Sequence, residues 1–184
     1  MTLKKIVLSI EWLLLKNKNM KNFKRLGRLI ASLFITLSAG YLGSLANFSS
    51  LATWYPTINK PSFNPPNWIF GPVWTILFIM MGVSFFLIWN QCLKKKGRSD
   101  RIYLHSSMIF FFVQLIANIL WSFLFFFFQN PFLAFVEIIV LWVLIILTIY
   151  YFKKQSKVAA WLLVPYLLWV SFASVLNFAI WQLN

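Results

Sequence analysis

Residues 54–74 read WYPTINKPSFNPPNWIFGPVW, and this stretch decides how the chain folds. It contains five of the seven prolines and three of the ten tryptophans, and it lies between two long apolar segments. Each proline fixes φ near −65° (about ±15°) and removes a backbone donor, so most of the stretch is predicted to be neither helix nor strand. Flexible linkers are polar and rich in glycine and serine, whereas this one is stiff and aromatic. We therefore expect it to pack as a lid over a cavity between membrane helices.

The composition of the chain indicates an integral membrane protein. Of its 184 residues, 61% are hydrophobic and 11% are charged, whereas soluble domains are about 45–50% apolar and about 25% charged. A helix of about 20 apolar residues crosses the hydrocarbon core of a bilayer. Segments of this kind cover about 26–46, 67–90, 103–128, 131–151 and 158–182. They predict one all-α membrane domain, residues 20–184, with five transmembrane helices and the proline- and tryptophan-rich loop between the first two.

The first 19 residues are predicted to be an extension outside this domain. Ile6–Leu15 is a short apolar run that is interrupted by Glu11 and preceded by two lysines. It resembles a signal peptide without a small-residue cleavage site, and it equally fits an interfacial amphipathic segment or an upstream sequence that is not translated. Met20 opens the basic flank MKNFKRLGRL, which is typical of a first membrane helix. We expect the functional protein to begin at Met20.

Basic residues alternate between the two sides of the predicted bundle. The amino-terminal flank carries eight, the first loop only Lys60, the second loop five, the third none, the fourth three and the carboxyl end none. Lysine and arginine accumulate on the cytoplasmic side, so the amino terminus is predicted to be cytoplasmic. The carboxyl terminus and the 54–74 stretch are then non-cytoplasmic. The net charge of +14 belongs to membrane flanks, and nucleic-acid binding is not expected.

Few residues could support metal or acid–base chemistry. Cys92 is the only cysteine and His105 the only histidine, so neither a disulfide framework nor a metal site is predicted. Three acidic residues are too few for a carboxylate cluster, and no glycine-rich phosphate loop is present. Glu137 is the only acid inside a predicted span. It is either functional, as ionisable residues in membranes usually are, or a protonated carboxyl that hydrogen-bonds to a neighbour.

Three predicted helices each present one face of aromatic, amide and small side chains at helical spacing. These faces comprise Trp74, Phe78, Met81 and Phe85 in the second helix, Gln114, Asn118 and Trp121 in the third, and Tyr166, Trp169, Ala173 and Asn177 in the fifth. Such faces form either a helix contact or a cavity wall. A buried amide in lipid needs a partner, so Asn118 is expected to point inward. Ala173 between large aromatic residues leaves room for a flat ligand or for another helix.

The first helix differs, because its regular feature is a face of small residues. Ser32, Thr36, Gly40 and Ser44 recur at every fourth position. Small residues let two helices approach closely in lipid. This face therefore predicts helix packing rather than ligand binding.

Several spaced motifs occur in one order along the chain. They are Trp54-Tyr55, Lys60-Pro61, Phe63, Pro65-Pro66, Trp68, Gly71-Pro72 and Val73-Trp74-Thr75, then Gln114-Leu115, Asn118 and Trp121-Ser122, then Ala160-Trp161-Leu162-Leu163, Pro165-Tyr166, Leu168-Trp169, Phe172-Ala173 and Asn177. In this order they resemble the TspO/translocator-protein family, also called tryptophan-rich sensory protein or peripheral benzodiazepine receptor. The resemblance covers roughly residues 25–184.

The resemblance implies a five-helix bundle that binds porphyrins such as protoporphyrin or haem, and sterol-like or benzodiazepine-type compounds, in tetrapyrrole handling or stress sensing. No cofactor is implied beyond a porphyrin or haem as ligand. By match to the family motifs, the implied ligand-binding residues are Tyr55, Pro65, Trp74, Phe78, Asn118, Trp121, Trp169 and Ala173. A small-molecule transporter stays open, as does a membrane enzyme that degrades porphyrin in light with Trp74 and Trp169 as redox partners. A homodimer is also open.

The topology can be tested with Cys92, which lies beside the basic segment Lys94–Arg101 and is therefore expected to be cytoplasmic. In intact cells, a membrane-impermeant maleimide should leave Cys92 unlabelled and should label the Asn59→Cys variant at its new thiol. After permeabilisation, the maleimide should label Cys92 both in the unaltered protein and in the Asn59→Cys variant. The reverse pattern in intact cells would contradict the charge argument.

Overall fold

Helices account for most of the described residues in this computed structural model. The structure describes residues 3–94 and 97–184. It also describes the side chains of these residues, except those of residues 3–19, 21, 49, 94 and 98–100. The helices are α1 (Leu3–Ser50), α2 (Asn67–Lys94), α3 (Arg98–Ser122), a π-helical turn (Phe123–Phe127), α4 (Pro131–Gln155), α5 (Lys157–Leu162) and α6 (Val164–Leu183). Among the described residues, five segments are long and apolar enough to span a membrane, namely Asn22–Phe48, Asn67–Cys92, Arg101–Phe127, Pro131–Gln155 and Lys157–Leu183. They confirm the predicted all-α, five-span membrane fold.

Helix α1 begins earlier than predicted, at Leu3 rather than near residue 26. The sequence before Gly27 contains neither proline nor glycine, so nothing in it breaks a helix that has once formed. The membrane-spanning part of α1 still begins at Asn22. The side chains of the predicted extension lie outside the described set, and the start at Met20 stays a prediction.

Helices α1 and α2 pack closely where both carry small residues. Ser32 and Thr36 are fully buried, and the Thr36 hydroxyl donates to the carbonyl oxygens of Ser32 and Leu33, both at 3.2 Å. Gly82 of α2 faces them: a Cβ atom there would lie 2.7 Å from Thr36 Oγ1 and 3.1 Å from Leu33 Cα. This part of the small-residue face of α1 therefore serves helix packing, as expected.

Aromatic stacking fills the bundle at the end where α2 and α4 finish. The Phe85 and Phe111 rings are parallel, with centroids 4.6 Å apart and an interplanar angle of 7°. Phe111 also stacks on Phe152 at 5.8 Å, and the hydroxyl of Ser84 donates to the carbonyl of Ala159 at 2.7 Å. These contacts join α2 to α3, α4 and α5. The aromatic face predicted on α2 thus ends in a close-packed core.

The third span ends in a wider turn than predicted. The Phe128 N–H donates to the Phe123 carbonyl five residues earlier, at 2.9 Å, whereas the sequence predicted a regular helix to about residue 128. Gln129 then takes a left-handed conformation, with φ of 51°. Asn130 Oδ1 accepts from the Leu133 N–H at 2.9 Å and thereby caps α4, which Pro131 opens. π-Turns are often found at functional sites.

The fifth span, predicted as one helix over about 158–182, is interrupted at Leu163, two residues before Pro165. Proline has no N–H, and its ring clashes with the carbonyl four residues earlier, so it kinks or breaks a helix. The Leu163 N–H instead donates to the Ala160 carbonyl at 3.1 Å, and α6 restarts with the Leu167 N–H on the Leu163 carbonyl at 3.0 Å. This offset fixes how the aromatic face of α6 meets α3.

Close packing at Gly82 can be tested by adding one methyl group. Gly82→Ala should lower the free energy of unfolding by about 1–3 kcal/mol, because the Cβ atom overlaps Thr36 and the backbone of Leu33. The matched control is Gly27→Ala, where no atom lies within 4 Å of the added Cβ. Thermal unfolding in detergent, followed by circular dichroism, measures both. Equal melting temperatures for the two variants would contradict this packing.

Candidate functional site

A cavity of about 660 Å³ lies between α1, α2, α3, α6 and the π-turn. Pockets for small molecules usually measure about 300–1,000 Å³. Its wall includes four tryptophans, namely Trp68, Trp74, Trp121 and Trp169. The polar lining residues are Ser44, Asn47, Asn67, Thr75, Asn118, Ser122 and Asn177. An aromatic wall with a few amide and hydroxyl groups suits a large and mostly apolar ligand.

Two walls of the cavity are built from indole rings. On α2, Trp74 packs against Phe78, with ring centroids 5.7 Å apart, and meets the edge of Tyr166 at 6.2 Å. On α6, Trp169 contacts Phe70 at 5.9 Å and at a steep angle of 69°. Each indole is thus held in place by a neighbouring aromatic ring. These ring contacts restrict the rotation of both indole side chains.

A buried polar network holds the cavity side of α3 against α6. The Tyr166 hydroxyl donates to Gln114 Oε1 at 3.0 Å and accepts from Asn118 Nδ2, also at 3.0 Å. All three side chains are at most 5% exposed. Asn118 therefore points inward to a partner, as expected for an amide in a membrane.

A second polar link joins the end of α3 to α4 and α6. Trp121 Nε1 donates to Asn177 Oδ1 at 3.0 Å, and Asn177 Nδ2 donates to the Pro131 carbonyl at 2.8 Å. The Trp121 ring also stacks on Phe125 of the π-turn, with centroids 5.5 Å apart. Asn177 thus fixes the orientation of one indole in the cavity wall.

The proline loop (residues 51–66) contributes Tyr55 to the cavity wall. Tyr55 is 4% exposed, and its ring packs against Phe126, with centroids 5.8 Å apart. Its hydroxyl donates to Asn64 Oδ1 at 3.2 Å, and Lys60 Nζ lies 4.6 Å from the centre of its ring. Burial raises the pKa of the Tyr55 hydroxyl above its usual value, so this side chain is neutral at physiological pH.

The proline loop is fastened to the end of α6. The Asn59 N–H donates to Asn184 Oδ1 at 2.9 Å, and Asn184 Nδ2 donates back to the Asn59 carbonyl at 3.0 Å. Phe63 also meets Phe172 edge-on, with centroids 6.5 Å apart. Such fixed contacts distinguish this loop from a flexible linker and keep Tyr55 over the cavity.

Seven of the eight residues selected from the sequence line this one cavity: Tyr55, Trp74, Phe78, Asn118, Trp121, Trp169 and Ala173. The eighth, Pro65, lies outside the lining. Its carbonyl accepts from Asn64 Nδ2 at 3.0 Å, and Asn64 in turn holds the Tyr55 hydroxyl. Pro65 therefore contacts the cavity only through Tyr55. Ligand binding by these residues stays a prediction.

Sequence reasoning missed the contributions of α1 and the π-turn. Gly40, Gly43 and Asn47 of α1 line the cavity, as do Phe125 and Phe126. Gly40 belongs to the small-residue face that was assigned to helix packing. That face does both: its first half packs on α2, and its second half forms a cavity wall. A glycine that faces a helix and a glycine that faces a cavity look alike in the sequence, so no signal distinguished the two.

Glu137 lies on the buried face of α4. Neither of its carboxyl oxygens forms a hydrogen bond with the described residues. Glu137 is also absent from the cavity lining. The structure therefore supplies no neighbour for the hydrogen-bonded interpretation of this carboxyl, and it does not place Glu137 against a ligand in the cavity.

Removing one hydroxyl tests the network around Tyr166. Tyr166→Phe should lower the free energy of unfolding by about 1–3 kcal/mol, because it leaves the buried Gln114 and Asn118 amides without their partner. The matched control is Tyr151→Phe, whose ring stacks on Phe110 and for whose hydroxyl the described residues offer no hydrogen bond. Chemical unfolding in detergent measures both variants. Equal loss of stability in the two would show that the network contributes nothing specific.

Comparison with known proteins identifies the family of this chain. Residues 31–182 match the model of the TspO/MBR family. The chain is 44% identical to the tryptophan-rich protein TspO of Archaeoglobus fulgidus over 85% of this chain and 97% of that protein. It is 45% identical to the protein of the same name from Chlorobaculum tepidum over 82% and 91%. It is 33% identical to the translocator protein of Ovis aries over 79% and 83%. The chain therefore belongs to the TspO/MBR family.

Proposed function

We propose that this membrane protein binds a porphyrin, such as protoporphyrin or haem, in the aromatic cavity, and that it acts in tetrapyrrole handling or stress sensing. The observation that carries the proposal is the cavity of about 660 Å³ with Trp74 and Trp169 in its walls. Sterol-like and benzodiazepine-type compounds are the alternative ligands, because they too are large and mostly apolar. The proline loop and the cavity are proposed to lie on the non-cytoplasmic side.

The walls suit a flat conjugated ring more than a flexible chain. Stacked aromatic rings contribute about 0.5–1.5 kcal/mol beyond the burial of their area. Trp74 and Trp169 are held by Phe78 and Phe70 respectively, so little side-chain freedom is lost when a ring stacks on them. Ala173 is buried between larger residues and keeps the space beside Trp169 open. Shape and rigidity therefore both support a planar ligand.

Charge gives the ligand one orientation. No acidic or basic residue is part of the cavity lining, so charged groups of a ligand would be poorly solvated inside. Lys60 is the only basic residue of the first loop, and its Nζ lies over the Tyr55 ring at the cavity wall. A porphyrin that carries carboxylates is proposed to bind with its apolar edge toward Asn118 and its carboxylates toward Lys60.

A porphyrin titration of variants that each lack one tryptophan tests this site. Trp74→Ala and Trp169→Ala should each weaken protoporphyrin binding by about tenfold, because each loses a stacking surface. Quenching of tryptophan fluorescence, together with porphyrin absorbance, measures the binding in nanodiscs. The matched control is Trp161→Ala, since Trp161 is 72% exposed and outside the cavity lining.

Filling the cavity provides a second arm of the same experiment. Ala173→Leu should block the space beside Trp169 and weaken binding, whereas Ala179→Leu on the same helix lies outside the lining and should not. Circular dichroism checks that every variant is folded. Equal binding by all variants would mean that the porphyrin partitions nonspecifically, and the proposed site would be wrong.

A further inference from the structure

Two arginines of α1 lie against α2 at the basic end of the bundle, opposite the proline loop. Arg28 Nε donates to Asn90 Oδ1 at 2.9 Å. Asn90 is itself oriented, because its Nδ2 donates to the Phe86 carbonyl at 2.9 Å. The guanidinium carbon of Arg25 lies 5.8 Å from the centre of the Phe86 ring. Two cations from one turn of α1 thus rest on two residues from one turn of α2.

The described side chains offer these arginines no anion. Of the three acidic residues in the sequence, only Glu137 has a described side chain, and it is buried within the α4 span. Neither Arg25 nor Arg28 forms an ion pair with the described residues. Arg28 uses Nε for Asn90, so its two terminal nitrogens are left for another acceptor. An anion that binds this pair would therefore come from outside the described residues.

The position of the pair favours a phospholipid as the source of that charge. The membrane-spanning part of α1 begins at Asn22, so Arg28 lies only about 9 Å along the helix from that boundary. The facing span of α2 ends at Cys92, two residues beyond Asn90. Apolar side chains beside the pair, Leu26 and Ile30, are exposed. A phospholipid bound here would have its headgroup beside the two arginines and its acyl chains against the exposed apolar side chains.

We propose that Arg25 and Arg28, supported by Phe86 and Asn90, bind the phosphate group of an anionic phospholipid in the groove between α1 and α2. A planar guanidinium matches two phosphate oxygens with two parallel N–H bonds, which an ammonium group cannot do. Asn90 fixes the plane of the Arg28 guanidinium, and Phe86 supports Arg25. This site is separate from the cavity and does not depend on the porphyrin proposal.

Lysines at the same end of the bundle provide the comparison for a specific site. Lys153 and Lys154 end α4 and are exposed. Lys154 Nζ lies 5.1 Å from the centre of the Tyr150 ring. Neither donates a hydrogen bond to another helix of the described chain, as Arg28 does. They should attract anionic lipid only through the general field of the basic surface.

The test is native mass spectrometry of the full chain in detergent, titrated with dioleoyl phosphatidylglycerol. The double variant Arg25→Gln/Arg28→Gln should bind the first lipid about tenfold more weakly. The double variant Lys153→Gln/Lys154→Gln removes the same charge from the same end and should change binding little. Arg28→Lys keeps the charge but loses the Nε bond to Asn90, so it should also weaken binding. Asn90→Leu should also weaken lipid binding, although it leaves every basic residue unchanged.

Each outcome decides the proposal. If both double variants lose affinity equally, or if Arg28→Lys and Asn90→Leu bind as the unaltered protein does, the attraction is a general field and the site is wrong. If inorganic phosphate displaces the lipid at equal concentration, the site takes soluble phosphate and the lipid assignment fails. Melting curves by circular dichroism separate unfolding from loss of binding. Arg28→Lys and Asn90→Leu keep the test valid if the double arginine variant does not fold.

Discussion

The Tyr166 hydroxyl, shared between Gln114 and Asn118, is the contact on which the cavity depends. Lipid tails are as apolar as the side chains of the bundle, so hydrophobic burial alone does not hold membrane helices together. Polar bonds between α3 and α6 fix the distance between these helices without filling the space beside them. The second link, from Trp121 through Asn177 to Pro131, does the same nearer the carboxyl ends of α3 and α6. A cavity can persist because its walls are held by hydrogen bonds at their edges.

Irregular backbone is concentrated around this cavity. The proline loop, the π-turn and the break before α6 all border helices that line it. Backbone groups that leave a regular helix need partners when they are away from water. Here Asn130 caps α4 through the Leu133 N–H, and the Asn59–Asn184 pair satisfies backbone groups of the loop. Three aromatic rings of the cavity wall, those of Tyr55, Phe125 and Phe126, are therefore carried by irregular segments.

Sequence reasoning could recover the five spans, because apolar length sets them. Helical spacing placed Trp74, Asn118 and Trp169 on faces that fit a helix contact and a cavity wall equally well, and the resemblance to the family selected the cavity. Sequence reasoning could not recover the π-turn. Residues 123–128 are all apolar, so no periodicity shows which rings turn inward. Gly40 was assigned to packing because a glycine beside a helix and a glycine beside a ligand read alike. Pro65 lies outside the cavity lining and is linked to it through Asn64 and Tyr55, and its role in binding stays a prediction.

The two ends of the bundle differ in their content of basic residues, and a stack of aromatic rings separates the cavity from the basic end. Lys60 is the only cation in the first loop, while the other 16 of the 17 basic residues belong to the opposite flanks. Between the cavity and that basic end, Phe85, Phe111 and Phe152 stack across three helices, and Met81 beside them is fully buried. A transported ligand would have to part this stack, whereas a bound ligand would leave it intact. Close-packed cores resist such opening, so passage through the bundle would require a larger rearrangement than binding in the cavity.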